Sequence, residues 1–232
     1  MASADLISKA RSEGRLLLTE VESKELLEEA GIPVVETKLA TSKEEAINIA
    51  ESIGFPVVLK IISPEVIHKS DMGGVKIGIA DNSSVGEAYD SIMSSIKNAM
   101  PSASIHGISV QKMADPGTEV IIGASTDPQF GHVVMFGMGG VLVEVLKDVA
   151  IKLVPLTPRD AHSIVREIKS FPILEGYRGA PASDLGKLEE AILNLSNFLE
   201  NHKEIKELDL NPVFCYPNGI VAVDARVVLE EN

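Results

Sequence analysis

GFPVVLKIISPEVIHKSDMGGVKIGI, residues 54–79, holds two short apolar runs separated by a polar loop. The first, Val57–Ile62, is rich in branched residues and shows no polar alternation except Lys60 near its end, which is the pattern of a strand buried on both faces. The second, Val75–Ile79, follows directly on Gly73-Gly74. A glycine pair opening a strand lets backbone N–H groups approach a phosphate, because no Cβ blocks the way. His68 stands in the loop before those glycines, beside Lys69 and close to Asp71. A histidine next to a candidate phosphate cradle needs a chemical reason.

Working outward, helix and strand signals alternate along the chain. LLLTEVESKELLEEAGIPV carries Thr19 with Glu22 three residues on, a capping box, and an apolar face of Val21, Leu26, Leu27 and Ala30 that stops at Gly31 and Pro33. IPVVETKLA reads as a strand. Ser42 with Glu45 opens a second helix that ends at Gly54. Downstream, a helix is expected at about 85–99, then a strand GISVQKM and two paired strands, TEVIIGAST and HVVMFGMGG. IKLVPLT is a further strand, and Thr157-Pro158-Arg159-Asp160 starts a helix. LEGYRGAPASD is a glycine-rich connection, followed by a helix over about 185–201. ELDLNPVFCY and GIVAVDARVVL close the chain as a hairpin turning at Pro217-Asn218-Gly219. The mixture is α+β with several hairpins, and argues against a doubly wound parallel sheet. With no exposed linker, two lobes sharing one cleft are expected.

The 232 residues carry a net charge of −13, no Trp and 4% aromatics. These argue against nucleic acid or anionic membrane as partner and against base-stacking platforms. No segment has the ~18 consecutive apolar residues of a membrane span, and the polar start has no signal-peptide core. The single Cys215 excludes an intramolecular disulfide and a cysteine metal cluster. It suits a reducing cytoplasm, and its apolar run predicts a buried, inert thiol.

Three oxygen-bearing side chains interrupt the apolar C-terminal strands. Asp209 and Asn211 are two apart and share a strand face, and Asp224 can come alongside across the hairpin. Oxygens from two strands suit Mg²⁺, which takes one or two protein ligands and completes its shell with water and phosphate. The bland reading, solvated turn residues, competes evenly on pattern alone. Lys60 is either a fixed positive charge for a phosphate or a lysine snorkelling from a strand end. His106, His132, His162 and His202 show no metal-ligand spacing and read as structural or solvated. Glu144 after Gly139-Gly140 and Arg178 in the YRG stretch have no firm assignment.

Taken in order, GFPVVLK, the Gly-Gly loop, VQKM, Glu119 in TEVIIG and the acidic–Asn–acidic C-terminus resemble an ATP-grasp domain, two α/β lobes with the nucleotide in the cleft between them. The whole chain, 1–232, would be that one domain. Its lobes would be about 20–110 and 111–232, after an N-terminal helical segment at 1–19. GMGGVLVEVLKDVAIKLVPL, LEGYRG and ELDLNPVF sharpen the resemblance to the β subunit of ADP-forming acyl-CoA synthetases, relatives of succinyl-CoA synthetase. The resemblance implies roles. Lys60 would hold nucleotide phosphates, and Gly73, Gly74 and Lys76 would form the loop over them. Gln111, Lys112 and Met113 would be the hinge that reads adenine through backbone groups, and Glu119 the acid near the ribose. Asn211 and Asp224 would bind Mg²⁺, His68 would carry phosphate in transit, and Asp209 would orient or charge that histidine.

The histidine beside the cradle then has its reason. A neutral imidazole, with an unperturbed pKa of ~6.5, is a competent nucleophile near neutral pH. A loop of about ten residues can extend on the order of 30 Å, so His68 can sit on an arm. The expected reaction is acyl-CoA + ADP + phosphate ⇌ carboxylic acid + CoA + ATP. No G-x-G-x-x-G opens a βαβ unit here, so CoA and acyl chemistry are expected on a partner α subunit, in an α2β2 heterotetramer. Two other classes stay open on the residues: an ATP-grasp carboxylate–amine ligase, in which His68 is dispensable, and a non-catalytic nucleotide sensor.

Overall fold

The computed structural model describes residues 3–66, 69–140 and 147–231. It divides into two compact units. The smaller comprises residues 19–21 and 35–115, and the larger comprises 1–18, 22–34 and 116–232. The division falls at Asp115/Pro116, where the sequence suggested 110/111, and the N-terminal segment to Leu18 groups with the larger unit.

In the smaller unit, strands β1 (Thr37–Ala40), β2 (Val57–Ile62), β3 (Val75–Ile79) and β4 (Gly107–Lys112) form an antiparallel sheet in the order β1-β4-β2-β3. Helices α3 (Lys43–Ile53) and α4 (Asn82–Ala99) cover one face; α1 (Ser3–Ser12) and α2 (Glu20–Glu29) come before them in the chain. Leu59, Ile61, Ile108 and Val110 meet Ala46, Ala50, Val85, Ile92 and Ile96 there. Caps set the helix limits. Ser42 accepts from the Glu45 N–H, and the left-handed Gly54 closes α3. Asp81 accepts from the Ser84 N–H, which starts α4 three residues before the sequence reading placed it.

In the larger unit, α1 (Ser3–Ser12) and α2 (Glu20–Glu29), whose first two residues belong to the smaller unit, precede a sheet of β5 (Thr118–Asp127), β6 (Gly131–Met138), β7 (Val149–Leu153), β8 (Ile205–Tyr216), β9 (Gly219–Ala222) and β10 (Ala225–Leu229). Its order is β10-β8-β5-β6-β7, with β9 also on β8. Helices α5 (Pro158–Glu167), α6 (Phe171–Leu174) and α7 (Leu185–Asn201) follow β7. The core gathers Leu6 and Ala10 of α1, Leu26 and Leu27 of α2, Phe136, Ile164, and Ile192, Leu195 and Leu199 of α7. All ladders between named strands are antiparallel.

Two expected strands are each divided. In IPVVETKLA, Val34 bridges to Ala222 in the larger unit, and only Thr37–Ala40 pairs with β4 in the smaller. At the C-terminus the turn at Pro217-Asn218 holds, but the returning arm breaks at Val223-Asp224 into β9 and β10. β8 is irregular at the same level. Ile122 faces Leu210 and Val120 faces Val213, so one extra residue enters β8 around the cis Asn211–Pro212 bond.

Cys215 is 3% exposed, and burial pushes its thiol up to about 12. Because the thiolate is the reactive form, the native chain should resist iodoacetamide at pH 8 and take up one equivalent only in denaturant. Rapid alkylation of the folded chain, followed by mass spectrometry, would contradict this.

Candidate functional site

β2 is buried along its whole length, so its alternation separates two environments. Leu59 and Ile61 face α3 and α4. Lys60 takes the other face, beside Ser109 of β4, its register partner. Its ammonium meets Glu20, the first residue of α2, at 2.7 Å, with the lysine side chain 9% and the glutamate side chain 2% exposed. The second carboxylate oxygen of Glu20 accepts from Lys69 Nζ at 3.2 Å. Lys60 is therefore no snorkelling lysine. Glu20 was not among the residues singled out from sequence, because an acidic residue in a first helical turn is ordinarily a helix-dipole or solvent partner.

The Gly73-Gly74 pair forms a closed turn. Gly73 N–H donates to Ser70 O at 3.1 Å and Gly74 N–H to Lys69 O at 2.7 Å, so both amides close a turn on themselves. Gly73 is glycine because its φ is +71°. Gly74 is glycine because a Cβ there would lie 2.7 Å from Ile61 Cγ2 and 2.9 Å from Lys69 O. The pair folds the turn back onto β2, where Ile61 N–H donates to Gly74 O. Lys76 is half-buried on β3 and makes no ion pair among the described residues. His68 and Glu144 lie outside the described residues.

The expected hinge is also more occupied than the sequence suggested. Gln111 is buried inside β4. Lys112 Nζ donates to the carbonyls of Gly54 and Phe55, clamping the turn before β2. The backbone N–H groups of Lys112 and Met113 donate to Glu36 O and Pro56 O. Both amides are thus bonded within the smaller unit. Glu119 is exposed at the start of β5, and its carbonyl accepts from Gly139 N–H. Gly139 permits that contact, since a Cβ would stand 3.0 Å from Glu119 Cβ.

The oxygen-bearing residues do converge. The two breaks, in β8 and between β9 and β10, face each other. Ala225 pairs with Leu210 and Arg226 with Asp209, which carries the register on to Asp224 opposite Asn211. Asn211 is exposed, and Asp209 and Asp224 are half-buried. Asp224 Oδ1 accepts from the Ala225 N–H. Burial raises the Asp209 carboxyl above its ordinary range; Arg226 opposes the shift and Asp224 adds to it. On the other side Asp209 faces Gly123 of β5, where the Met135 methyl reaches the space that a Cβ would take. No cluster of three or more His, Cys, Asp or Glu forms among the described residues. An all-oxygen set supplying one or two ligands nonetheless fits Mg²⁺, which keeps water and phosphate in its shell.

The remaining histidines have structural surroundings. The His132 ring meets Ile205 O at 2.7 Å, His162 faces Glu189, and His202 faces Glu204 and stacks near Phe198. His106 is exposed. Arg178, at φ 50°, lays its guanidinium over Tyr177. No helix among the described residues is long and apolar enough to cross a membrane.

The ATP-grasp domain family model matches residues 9–229. The β subunit of an ADP-forming acetate–CoA ligase I from Pyrococcus furiosus is 46% identical over 97% of this chain and 97% of its own. An ADP-forming acetate–CoA ligase I from Archaeoglobus fulgidus is 48% identical over 89% of this chain, which there corresponds to 30% of a longer polypeptide. Among solved structures, acetyl-coenzyme A synthetase 1 of Ca. Korarchaeum cryptofilum, in complex with coenzyme A and Ca-AMPCP, superposes with a TM-score of 0.96 at 47% identity, covering 99% of this chain and 100% of that one. Another state of that enzyme holds coenzyme A and Mg-AMPPCP with its phosphohistidine segment pointing towards the nucleotide-binding site (TM-score 0.89, 44% identity, the same coverage). The chain belongs to the ATP-grasp domain family, among the β subunits of ADP-forming acetate–CoA ligases.

Proposed function

We propose that this chain is the nucleotide-binding subunit of an ADP-forming acyl-CoA synthetase, which with a partner subunit interconverts acyl-CoA, ADP and phosphate with carboxylic acid, CoA and ATP. The observation that carries the reading is the near full-length match to such a β subunit, joined to a histidine placed between Lys60 and the Gly73-Gly74 turn. His68 accepts the phosphoryl group on an imidazole nitrogen and passes it to ADP. Phosphoryl transfer asks the protein mainly for positioning and charge neutralisation. Lys60, held by Glu20, supplies a fixed cation for the phosphates, and Lys76 a second on β3. Asn211 and Asp224 would hold Mg²⁺, which supplies charge neutralisation on the phosphates when bound. Asp209, two residues before Asn211, orients the carrier histidine or its phosphate. Gln111 and Glu119 remain candidates for the base and ribose.

The acyl and CoA chemistry belongs to a partner α subunit, because ADP-forming ligases occur both as separate β subunits and as one polypeptide of which this chain matches 30%. A heterotetramer of two α and two β chains in the cytoplasm is the corresponding assembly. These relatives are acid–thiol ligases, which favours this reading over a carboxylate–amine ligase or a sensor.

The test mixes the chain with its candidate α subunit, acetyl-CoA, ADP, phosphate and Mg²⁺. ATP should form only when both chains are present. With γ-labelled ATP, acid-labile, base-stable label should appear on this chain and map to the peptide containing His68. ATP binding without any label, even with the α subunit present, overturns the relay.

A further inference from the structure

Glu20 divides one carboxylate between two lysines of different standing. Oε1 meets Lys60, in the middle of the sheet on β2, and Oε2 meets Lys69, at the start of the turn that closes at Gly74. That turn is already fixed at its backbone, since Lys69 O accepts from Gly74 N–H and Gly74 O accepts from Ile61 N–H. Glu20 adds a hold on the Lys69 side chain. The carboxylate is 2% exposed, whereas the Lys69 side chain is 26% exposed. Burying such a group is poor value for stability alone: apolar residues of similar volume usually serve as well or better, because desolvation offsets the Coulombic gain. What a shared carboxylate does provide is a fixed distance between two cations.

We infer that Glu20 is a positioning residue for phosphoryl transfer, holding the ammonium of Lys69, the residue next to His68 in sequence, in register with the ammonium of Lys60. This rests on the function proposed above. In this scheme Glu20 acts through the two lysines. A misplacement of about 1 Å in such a site can cost about 10²-fold in rate. Its loss should therefore slow transfer far more than it weakens nucleotide binding.

Glu20→Gln keeps the shape and removes the charge. Two readouts are taken on the full chain. In the first, a brief pulse of an acylating reagent reports the reactivity of Lys69 against Lys76 as internal reference. Lys69 should become at least about threefold more reactive once its charged partner is gone, the scale on which a lost ion-pair hydrogen bond exposes an amine. In the second, Mg·ATP affinity should stay within about threefold while the rate of acid-labile labelling falls about 10²-fold. Lys69→Met should also slow labelling, and the double variant should be no slower than the slower single, because both remove one interaction. Unchanged Lys69 reactivity in Glu20→Gln overturns the inference, whether or not the wild type is phosphorylated. So does a double variant whose defects multiply. A wild type that never labels sinks the functional reading instead, and the Lys69 reactivity still decides the positioning role. Should Glu20→Gln fail to fold, Lys69→Met decides alone, and labelling at the wild-type rate counts against the inference.

Discussion

His68→Asn is expected to abolish both acid-labile phosphate on the chain and ATP formation by the reconstituted enzyme, while Mg·ATP still binds. The asparagine amide nitrogen is delocalised into its carbonyl and cannot take up a phosphoryl group, whereas a neutral imidazole nitrogen can. A relay has no bypass when its carrier is removed. Losing a covalent nucleophile costs on the order of 10⁶-fold in the best-measured cases, so turnover should fall to background. The measurement pairs isothermal titration of Mg·ATP with label counting, and a thermal melt controls for folding. Retained turnover above a hundredth of wild type would mean direct transfer in the site and would restore the carboxylate–amine type of chemistry.

Most of the fold was legible because local signals agreed with it. Ser42, Gly54, Gly31 and the Thr157–Asp160 box mark helix limits by satisfying or ending backbone hydrogen bonds near the residues themselves. What sequence did not reveal is where a strand changes partner. IPVVETKLA is uniformly strand-like, yet Val34 and Thr37 pair in different units, and no local pattern records that. The C-terminal arm reads as one strand for the same reason. Its break at Val223-Asp224 shows only beside the extra residue in β8.

The residues singled out for the candidate site were legible by type, and their surroundings were not. Asp209, Asn211 and Asp224 stood out because polar residues interrupt apolar strands, and the register brings them to one level. Gly73-Gly74 matched a phosphate-binding pattern, but a glycine pair also suits a turn that must pass close to a neighbouring strand. The close approach of Gly74 to Ile61 accounts for the glycine there. Lys112 and Met113 show the same limit. Sequence spacing identifies the end of β4 but not that their amides are already bonded to Glu36 and Pro56. Glu20 escaped notice because its importance lies in burial and in two lysines 40 and 49 positions away.

Lys60→Met separates the two roles of the lysine that this cluster holds. Methionine fills a similar length without charge, so packing on the β2 face is largely kept while the cation is lost. Removing one partner of a buried pair typically costs about 3–5 kcal/mol, and the remaining Lys69 contact to Glu20 should keep the loss near the lower end. The rate of phosphorylation should fall about 10²–10³-fold, the scale for deleting one preorganised electrostatic contact to a reacting phosphate or oxyanion. A single variant cannot tell a direct effect from a loosened fold. The double variant Glu20→Leu/Lys60→Met can, because replacing a buried ion pair by apolar residues is often neutral or stabilising. Denaturant unfolding should show stability restored close to that of the parent, with labelling still slow. If the double variant regained both stability and rate, Lys60 would be a structural lysine and the phosphates would have to be held elsewhere. If it regained only stability, the buried pair is kept in the fold for the charge it presents, at a cost in stability that an apolar pair would avoid.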